Sequence, residues 1–139
     1  MKEAFIRTDE ILQSTEGNDE LKKIQERDGQ QDPFAGAMMG GESNLIANYT
    51  GCTATVVLIT KNEIYCANAG DSRTVIGRGG GTMCEALSED HKPDNEDEKN
   101  RIVSAGGFVE ENRVNGSLNL SRSMGDFEYK SNTALPFDK

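Results

Sequence analysis

The stretch Gly51-Cys52-Thr53-Ala54-Thr55-Val56-Val57-Leu58-Ile59-Thr60 decides the fold of this chain, together with the apolar runs 63–69 and 74–77 that follow it. All three runs are rich in β-branched and apolar residues, and the turn residues Lys61-Asn62 and Gly70-Asp71 separate them. This pattern predicts three successive antiparallel strands. A three-stranded sheet is about the smallest that is stable in water, and it needs apolar cover on one face. We expect the helical segments on either side to supply that cover.

The composition describes an acidic chain with a small core. Its 139 residues suit one domain, but only 35% of them are hydrophobic and none is Trp, so we expect loose order in residues 1–50. The net charge of −9 argues against nucleic acid or an anionic membrane as the main partner. It favours cations and basic partners instead.

The cysteines and the hydropathy pattern indicate an intracellular protein, cytoplasmic or nuclear. The three cysteines are an odd number without a Cys-x-x-Cys spacing, which favours reduced thiols. No window approaches the roughly 18 apolar residues of a membrane span, and no signal-peptide pattern follows Met1.

The N-terminal third contains one clear helix signal. The sequence from Lys2 to Gln13 places Ala4, Phe5, Ile11 and Leu12 on one face, which predicts an amphipathic helix. Residues 14–48 are polar and contain five glycines, so they are interpreted as a mobile surface insertion with a short helix at 20–27. Within this insertion, Met38-Met39 is expected to pack on the sheet.

The chain after the strands alternates turns with short elements. The glycines at 79–81 lack the Lys-Ser/Thr of a nucleotide-binding loop, so they predict a hairpin turn before a fourth strand at 82–87. Residues 93–105 predict a helix whose acidic first turn complements the helix dipole, a commoner role for such acids than a metal site. Gly106 suits its left-handed C-terminal cap.

The segment after this helix predicts a second hairpin-like region. Short strands are expected at 108–110 and 118–120, and Asn115-Gly116 between them is a strong turn signal.

Six segments in this order resemble the metal-dependent protein serine/threonine phosphatases of type 2C. They are KEAFIRTDEIL (2–12), GCTATVVLI (51–59), ANAGDSR (67–73), EDHKPDNEDEKNRIVSAGGFV (89–109), RVNGSLNLSRSMGDFEYK (113–130) and Leu135-Pro136. The resemblance covers most of the chain outside 14–48. It identifies residues 1–139 as a central part of such a domain, with the helix and flap region at 93–126.

The resemblance implies a fold, a reaction and a cofactor. The fold is α+β, an antiparallel β-sandwich with flanking helices, of which this chain holds a part. The reaction is hydrolysis of phosphoserine and phosphothreonine in phosphoprotein substrates by a metal-activated water, with manganese or magnesium as cofactor. Phosphoproteins, and neither nucleic acid nor membrane, are the implied partners.

The family's principal metal-ligand segments do not occur in these 139 residues. The Asp-Gly-His-Gly-Gly segment is absent, and the only histidine, His91, belongs to an Asp-His-Lys-Pro stretch. One metal position carries over by resemblance, Asp71 with Thr53 close by, as ligands of an auxiliary ion. The alternative is that Gly70-Asp71 is a turn whose carboxylate caps backbone N–H groups, and one carboxylate is a poor site for a cation that takes about six oxygens.

The arginines also have two interpretations. Arg73, Arg113 or Arg122 could hold a substrate phosphate by a bidentate fork, although ion pairs within an acidic chain are the commoner use. The sequence therefore assigns no catalytic residue and no substrate-binding residue.

Two hypotheses follow. In the first, the chain is the central portion of a phosphatase domain, is inactive alone and binds little or no metal alone. In the second, it is a short or degenerate homologue that acts as a non-catalytic binding or regulatory module. Under either, strands without neighbours predict self-association through exposed edges.

Overall fold

The structure is a computed structural model that describes residues 1–29, 45–132 and 134–135. The helices are α1 (Lys2–Gln13), α2 (Thr15–Arg27) and α3 (Glu96–Ser104). Short 3₁₀ turns occupy Ile46–Asn48, Gly79–Gly81 and Phe127–Lys130. The strands are β1 (Gly51–Cys52), β2 (Ala54–Ile59), β3 (Ile64–Ala69), β4 (Val75–Arg78), β5 (Met83–Ala86), β6 (Val109–Glu110), β7 (Arg113–Val114) and β8 (Met124–Gly125).

All strand pairs in the described ranges are antiparallel, which together with the helices confirms the partial α+β fold. The pairs are β1 with β8, β2 with β3, β4 with β5 and β6 with β7. The longest ladder joins β2 and β3, from Ala54 opposite Ala69 to Ile59 opposite Ile64. The predicted turn at Lys61-Asn62 and the predicted strand around Met83 are both confirmed.

The predicted three-stranded meander is wrong, because β3 and β4 do not pair. After β3 the backbone of Gly70 bonds to His91 rather than to a neighbouring strand. Thr55 Oγ1 of β2 lies 2.7 Å from Oγ1 of Thr74, the residue before β4. β4 pairs with β5 instead, so these four strands form two separate hairpins.

The expectation that helices cover one face of the β2–β3 hairpin is also wrong for its outer half, where the apolar side chains are exposed. Val56 and Leu58 lie on one face with 44% and 50% exposure, and Val57 and Ile59 lie on the other with 41% and 71%. Large exposed apolar surfaces of this kind mark sites of association or of aggregation.

Helix α1 has the predicted bounds but a different buried face. Asp9 is buried, and Phe5, Ile6 and Leu12 are half-buried. Ile11, predicted to face the core, is 49% exposed. The reason is that the Asp9 carboxylate binds groups of the distant segment 125–130, which turns the helix so that this side faces inward.

The short helix predicted at 20–27 is confirmed as the C-terminal part of α2, but α2 begins at Thr15, so the interpretation of residues 14–48 as a mobile insertion is wrong for its first part. The Ser14 hydroxyl accepts a hydrogen bond from the Gly17 N–H at 3.0 Å, which caps the N-terminus of α2. A Cβ on Gly17 would lie 2.0 Å from the Ile11 carbonyl oxygen, so glycine permits the close approach of α1 and α2. Residues 30–44, including Met38-Met39, lie outside the described residues.

Helix α3 is shorter than predicted. It begins at Glu96, with Pro93 fully buried before it, and ends at Ser104; Gly106, two residues later, has φ 94°, as predicted for a left-handed cap. The Asn115-Gly116 turn is confirmed by positive φ at both residues. The strand predicted at 118–120 is wrong, because only Leu118 forms a bridge, to Val114.

The buried apolar side chains of the described residues form a small core around α3 and the C-terminal segment. They are Ile46, Ala47, Ile102, Val114, Met124 and Phe127. None of the helices in these ranges has the length and apolar character that crossing a lipid bilayer demands.

Candidate functional site

Two segments distant in sequence meet in a polar junction, which we define as residues 70–73 together with residues 89–92. Gly70 N–H donates to His91 Nδ1 at 3.2 Å, and His91 N–H donates to the Gly70 carbonyl at 3.0 Å. Arg73 donates to both carboxylate oxygens of Asp90, at 2.8 and 2.9 Å. Lys92 forms an ion pair with Asp71. Every one of these contacts crosses between the two segments.

Electrostatics stabilise the charged forms of the Arg73–Asp90 pair. The bidentate hydrogen bond from Arg73 lowers the pKa of Asp90, and the same bond raises the pKa of Arg73. The Asp90 side chain is 19% exposed and that of Arg73 56%, so solvent screens the pair. The bidentate geometry of the Arg73–Asp90 pair therefore contributes more to the orientation of the two segments than to the stability of the fold.

The contacts of His91 fix its tautomer. Because Nδ1 accepts from the Gly70 N–H, the proton of the neutral ring is on Nε2. The ring lines a cavity of about 680 Å³ between α1, β3, α3 and the C-terminal segment. Asn68 lines the same cavity and donates to the carbonyls of Gly70 and Glu89 at 3.0 and 2.9 Å. Its Oδ1 is buried and has no hydrogen-bond partner in the described part of the chain.

A buried carboxylate on α3 organises two arginines beside the junction. Arg122 Nη2 lies 2.6 Å and Arg101 Nη2 2.8 Å from the Glu98 carboxylate, and the Ser121 hydroxyl donates to it at 2.6 Å. Burial alone would raise the pKa of Glu98, but the hydrogen bonds from Arg122, Arg101 and Ser121 outweigh burial and lower it to about 2. Ser121 N–H also donates to the His91 carbonyl at 3.1 Å, which joins this cluster to the junction.

A second buried carboxylate ties α1 to the C-terminal segment. Asp9 accepts from the Gly125 N–H at 2.9 Å and from Lys130 Nζ at 2.5 Å. Lys130 also donates to the Ser123 carbonyl at 2.8 Å. Asp9 and Lys130 line the same cavity as His91.

The two residues predicted to bind metal are neighbours in the structure, but both have protein partners. The Asp71 carboxylate pairs with Lys92, which also corrects the alternative that it caps backbone N–H groups. The Thr53 and Ser72 hydroxyl oxygens are 2.7 Å apart. A Cβ on Gly70 would lie 2.4 Å from Thr53 Cγ2, so Thr53 also packs against the turn itself.

These residues do not fit a complete divalent-cation site. A hard cation takes about six oxygen ligands, and Asp71 offers one carboxylate that an ammonium already neutralises. No group of three His, Cys, Asp or Glu side chains comes together within residues 1–29, 45–132 and 134–135.

The three candidate arginines all have protein partners. Arg73 and Arg122 form carboxylate ion pairs, the use that the acidic composition favoured. Arg113 donates instead to the Ser117 carbonyl at 2.6 Å.

All three cysteines are free thiols, of which Cys52 and Cys84 are exposed.

Sequence reasoning missed Glu98 and Asp9. The spacing of Glu98 and Arg101 at i and i+3 was a local signal for one of the ion pairs. No local pattern could have identified Asp9, whose partners lie more than 100 positions away in the chain.

The family model and the curated relatives that match this chain all belong to one family. The family model described as "Protein phosphatase 2C" matches residues 5–137. A "Probable protein phosphatase 2C 2" of Paramecium tetraurelia is 47% identical over 135 residues, which are 97% of this chain and 39% of that protein. "Protein phosphatase 2C homolog 2" of Schizosaccharomyces pombe is 50% identical over 140 residues, which are 100% of this chain and 30% of that protein.

A solved phosphatase from Toxoplasma gondii is 30% identical, with a TM-score of 0.45 over 63% of this chain and 38% of that one. The chain thus spans less than half the length of the two curated relatives. Because the family model matches nearly all of its residues, the chain belongs to the protein phosphatase 2C family.

Proposed function

We propose that these 139 residues are the central part of a domain that hydrolyses phosphoserine and phosphothreonine in intracellular phosphoproteins. The observation that carries the proposal is the convergence of family-like segments on one place. Thr53 of 51–59, Asp71 of 67–73, Lys92 of 89–109 and Arg122 of 113–130 all lie in or beside the polar junction. Segments related to a phosphatase by sequence are thus also neighbours in space.

The chemistry that we propose for the complete domain is attack by a water that manganese or magnesium ions activate. The described residues of this chain supply scaffold to it. Glu98 orients Arg122 and Arg101, His91 holds the turn at Gly70, and Asp9 fixes α1 to the C-terminal segment.

Asp71, with Thr53 beside it, is the one position that we propose as an auxiliary ligand. In this chain the Asp71 carboxylate is paired with Lys92, so Asp71 alone cannot hold the metal ions that the reaction needs. We therefore propose that the isolated chain has no phosphatase activity and binds little manganese or magnesium.

A second candidate is a non-catalytic binding module. The observation that favours it is the β2–β3 hairpin, whose apolar side chains are exposed on both faces. Such a surface suits another protein or a second copy of the chain. The net charge of −9 disfavours nucleic acid and anionic membranes as partners.

A chimera tests the choice between these functions. The 135 matched residues of the Paramecium relative are replaced by the corresponding residues of this chain, and manganese-dependent release of phosphate from a phosphothreonine peptide is measured. If this chain is a competent part of a phosphatase domain, the chimera should retain manganese-dependent turnover, because the scaffold is intact. A folded chimera without turnover would contradict the proposal and favour the binding module.

A further inference from the structure

The outer edge of β2 has no neighbouring strand in the described part of the chain, where β2 pairs only with β3. In the turn that joins them, Thr60 N–H donates to the Glu63 carbonyl at 2.9 Å. Backbone groups of successive residues in an antiparallel ladder face alternately towards and away from the partner strand. Counting back from Thr60, the N–H and C=O groups of Val57 and Ile59 therefore point away from β3, and they have no backbone partner within the described residues.

The corresponding edge of β3 is less open. By the same alternation Gly70, the residue after β3, faces outward, and its N–H and C=O groups bond to His91. On β2 only the inner end is engaged, where the Thr55 hydroxyl contacts that of Thr74. Residues 56–60 are therefore the open stretch of the hairpin edge.

The side chains of this stretch are apolar and exposed on both faces of the hairpin. Val57 and Ile59 are exposed on one face, and Leu58 is exposed on the other. A partner packed against one face would leave the other uncovered, whereas a strand added at the edge places new neighbours beside the side chains of both faces. Edge addition is therefore the geometry that matches this exposure.

The charge pattern favours a second copy of the chain as the added strand. Residues 52–60 contain no charged side chain, so this edge has nothing to attract a basic partner, although the chain as a whole carries −9. Two copies related by a two-fold axis bring no like charges together along this stretch. A standard protein interface buries about 800 Å² per partner, and one short ladder buries less, so we expect the dimer to be weak.

We propose that two copies of this chain pair antiparallel along β2, with the two-fold axis at Leu58. In this register Leu58 lies opposite Leu58 of the second copy, and Val57 lies opposite its Ile59. The outward N–H and C=O groups of Val57 and Ile59 then bond across the interface. The inference rests on the second candidate function, the binding module, and names a second copy as its partner; it does not depend on phosphatase activity.

Sedimentation velocity of the 139-residue chain measures the association. The sedimentation coefficient should rise with concentration from that of a monomer to that of a dimer, and NaCl should strengthen the dimer by screening the charge of −9 on each copy. Val57→Pro removes an outward N–H but leaves the β2–β3 ladder intact, so it should abolish the dimer. If circular dichroism shows that this variant is unfolded, Val57→Lys replaces it. A chain that stays monomeric at every concentration overturns the inference, and the chimera assay still decides the catalytic proposal.

Cross-linking tests the register. With the three native cysteines replaced by serine, Leu58→Cys places two thiols directly opposite each other, and the Cα atoms of such a pair are about 4.5 Å apart, which suits a disulfide. Val75→Cys, at an exposed position of β4, is the matched control. Because opposed thiols react at an effective concentration of about millimolar, air oxidation should link Leu58→Cys at least about tenfold faster than the control. Equal rates, or a dimer that Val57→Pro leaves unchanged, would overturn pairing along β2.

Discussion

Replacing Glu98 by glutamine should destabilise the chain more than any exposed substitution on the same helix. The Glu98 side chain is only 7% exposed and faces two arginines and a serine hydroxyl. Glutamine has nearly the same shape, but it leaves Arg101 and Arg122 without their counter-charge. Removal of one member of a buried ion pair typically costs about 3–5 kcal/mol.

The pKa of Glu98 gives a second measure of this cost. A fall from the ordinary 4.5 to about 2 corresponds to about 3 kcal/mol of stability at neutral pH. Because the folded-state pKa is the lower one, this stabilisation is complete above about pH 4.5. It is lost as the pH falls from there towards 2, and less than half of it should remain at about pH 3.

Urea unfolding followed by circular dichroism at pH 7 and pH 3 measures both effects. We expect Glu98→Gln to lower the free energy of unfolding by about 3 kcal/mol at pH 7 and by less than half as much at pH 3. Glu96→Gln, an exposed position in the first turn of α3, is the control and should cost no more than about 1 kcal/mol. If Glu98→Gln lowers the free energy of unfolding no more than Glu96→Gln does, or by the same amount at both pH values, the proposed role of the ion pairs is refuted.

Three further substitutions test other parts of the structure. Asp9→Asn weakens the link to Lys130 and should lower the free energy of unfolding by about 2–3 kcal/mol in the same urea assay, and an unchanged midpoint would contradict that link. Gly70→Ala should cost more than Gly80→Ala, since both have positive φ but only at Gly70 would a Cβ lie 2.4 Å from a threonine methyl carbon; equal costs would argue against the close packing. Ile59→Lys places a charge on a 71% exposed apolar side chain and should reduce self-association in sedimentation velocity, whereas unchanged association would exclude this hairpin as the contact surface.

Elements defined by neighbouring residues could be predicted from the sequence. The bounds of α1, the β2–β3 turn and the cap at Gly106 depend on periodicity and on glycine or asparagine geometry, which are local properties. The end of the helix predicted at 20–27 agrees with that of α2, but its start at Thr15 is missed, although Ser14 is a preferred N-cap residue, because the residues around Gly17 are polar.

The features that were missed depend on contacts between distant residues. The buried face of α1 follows from Asp9, whose partners lie at 125–130, and hydrophobic periodicity assigns any aspartate to the solvent side. The meander prediction was wrong because β4 pairs with β5 and not with β3, and the choice of strand partner is not fixed by neighbouring residues. Asp71 was expected to bind a metal or backbone groups, and its partner Lys92 is 21 positions away.

The most direct test of the account is a phosphatase assay of the purified 139-residue chain with a phosphothreonine peptide and MnCl₂. We propose that these residues provide the framework of a phosphatase domain but not its principal metal ligands. We therefore expect phosphate release with the chain to be no faster than in a control that contains only the peptide and MnCl₂. Manganese-dependent turnover that Asp71→Asn abolishes would contradict it, because the chain would then carry a working centre of its own.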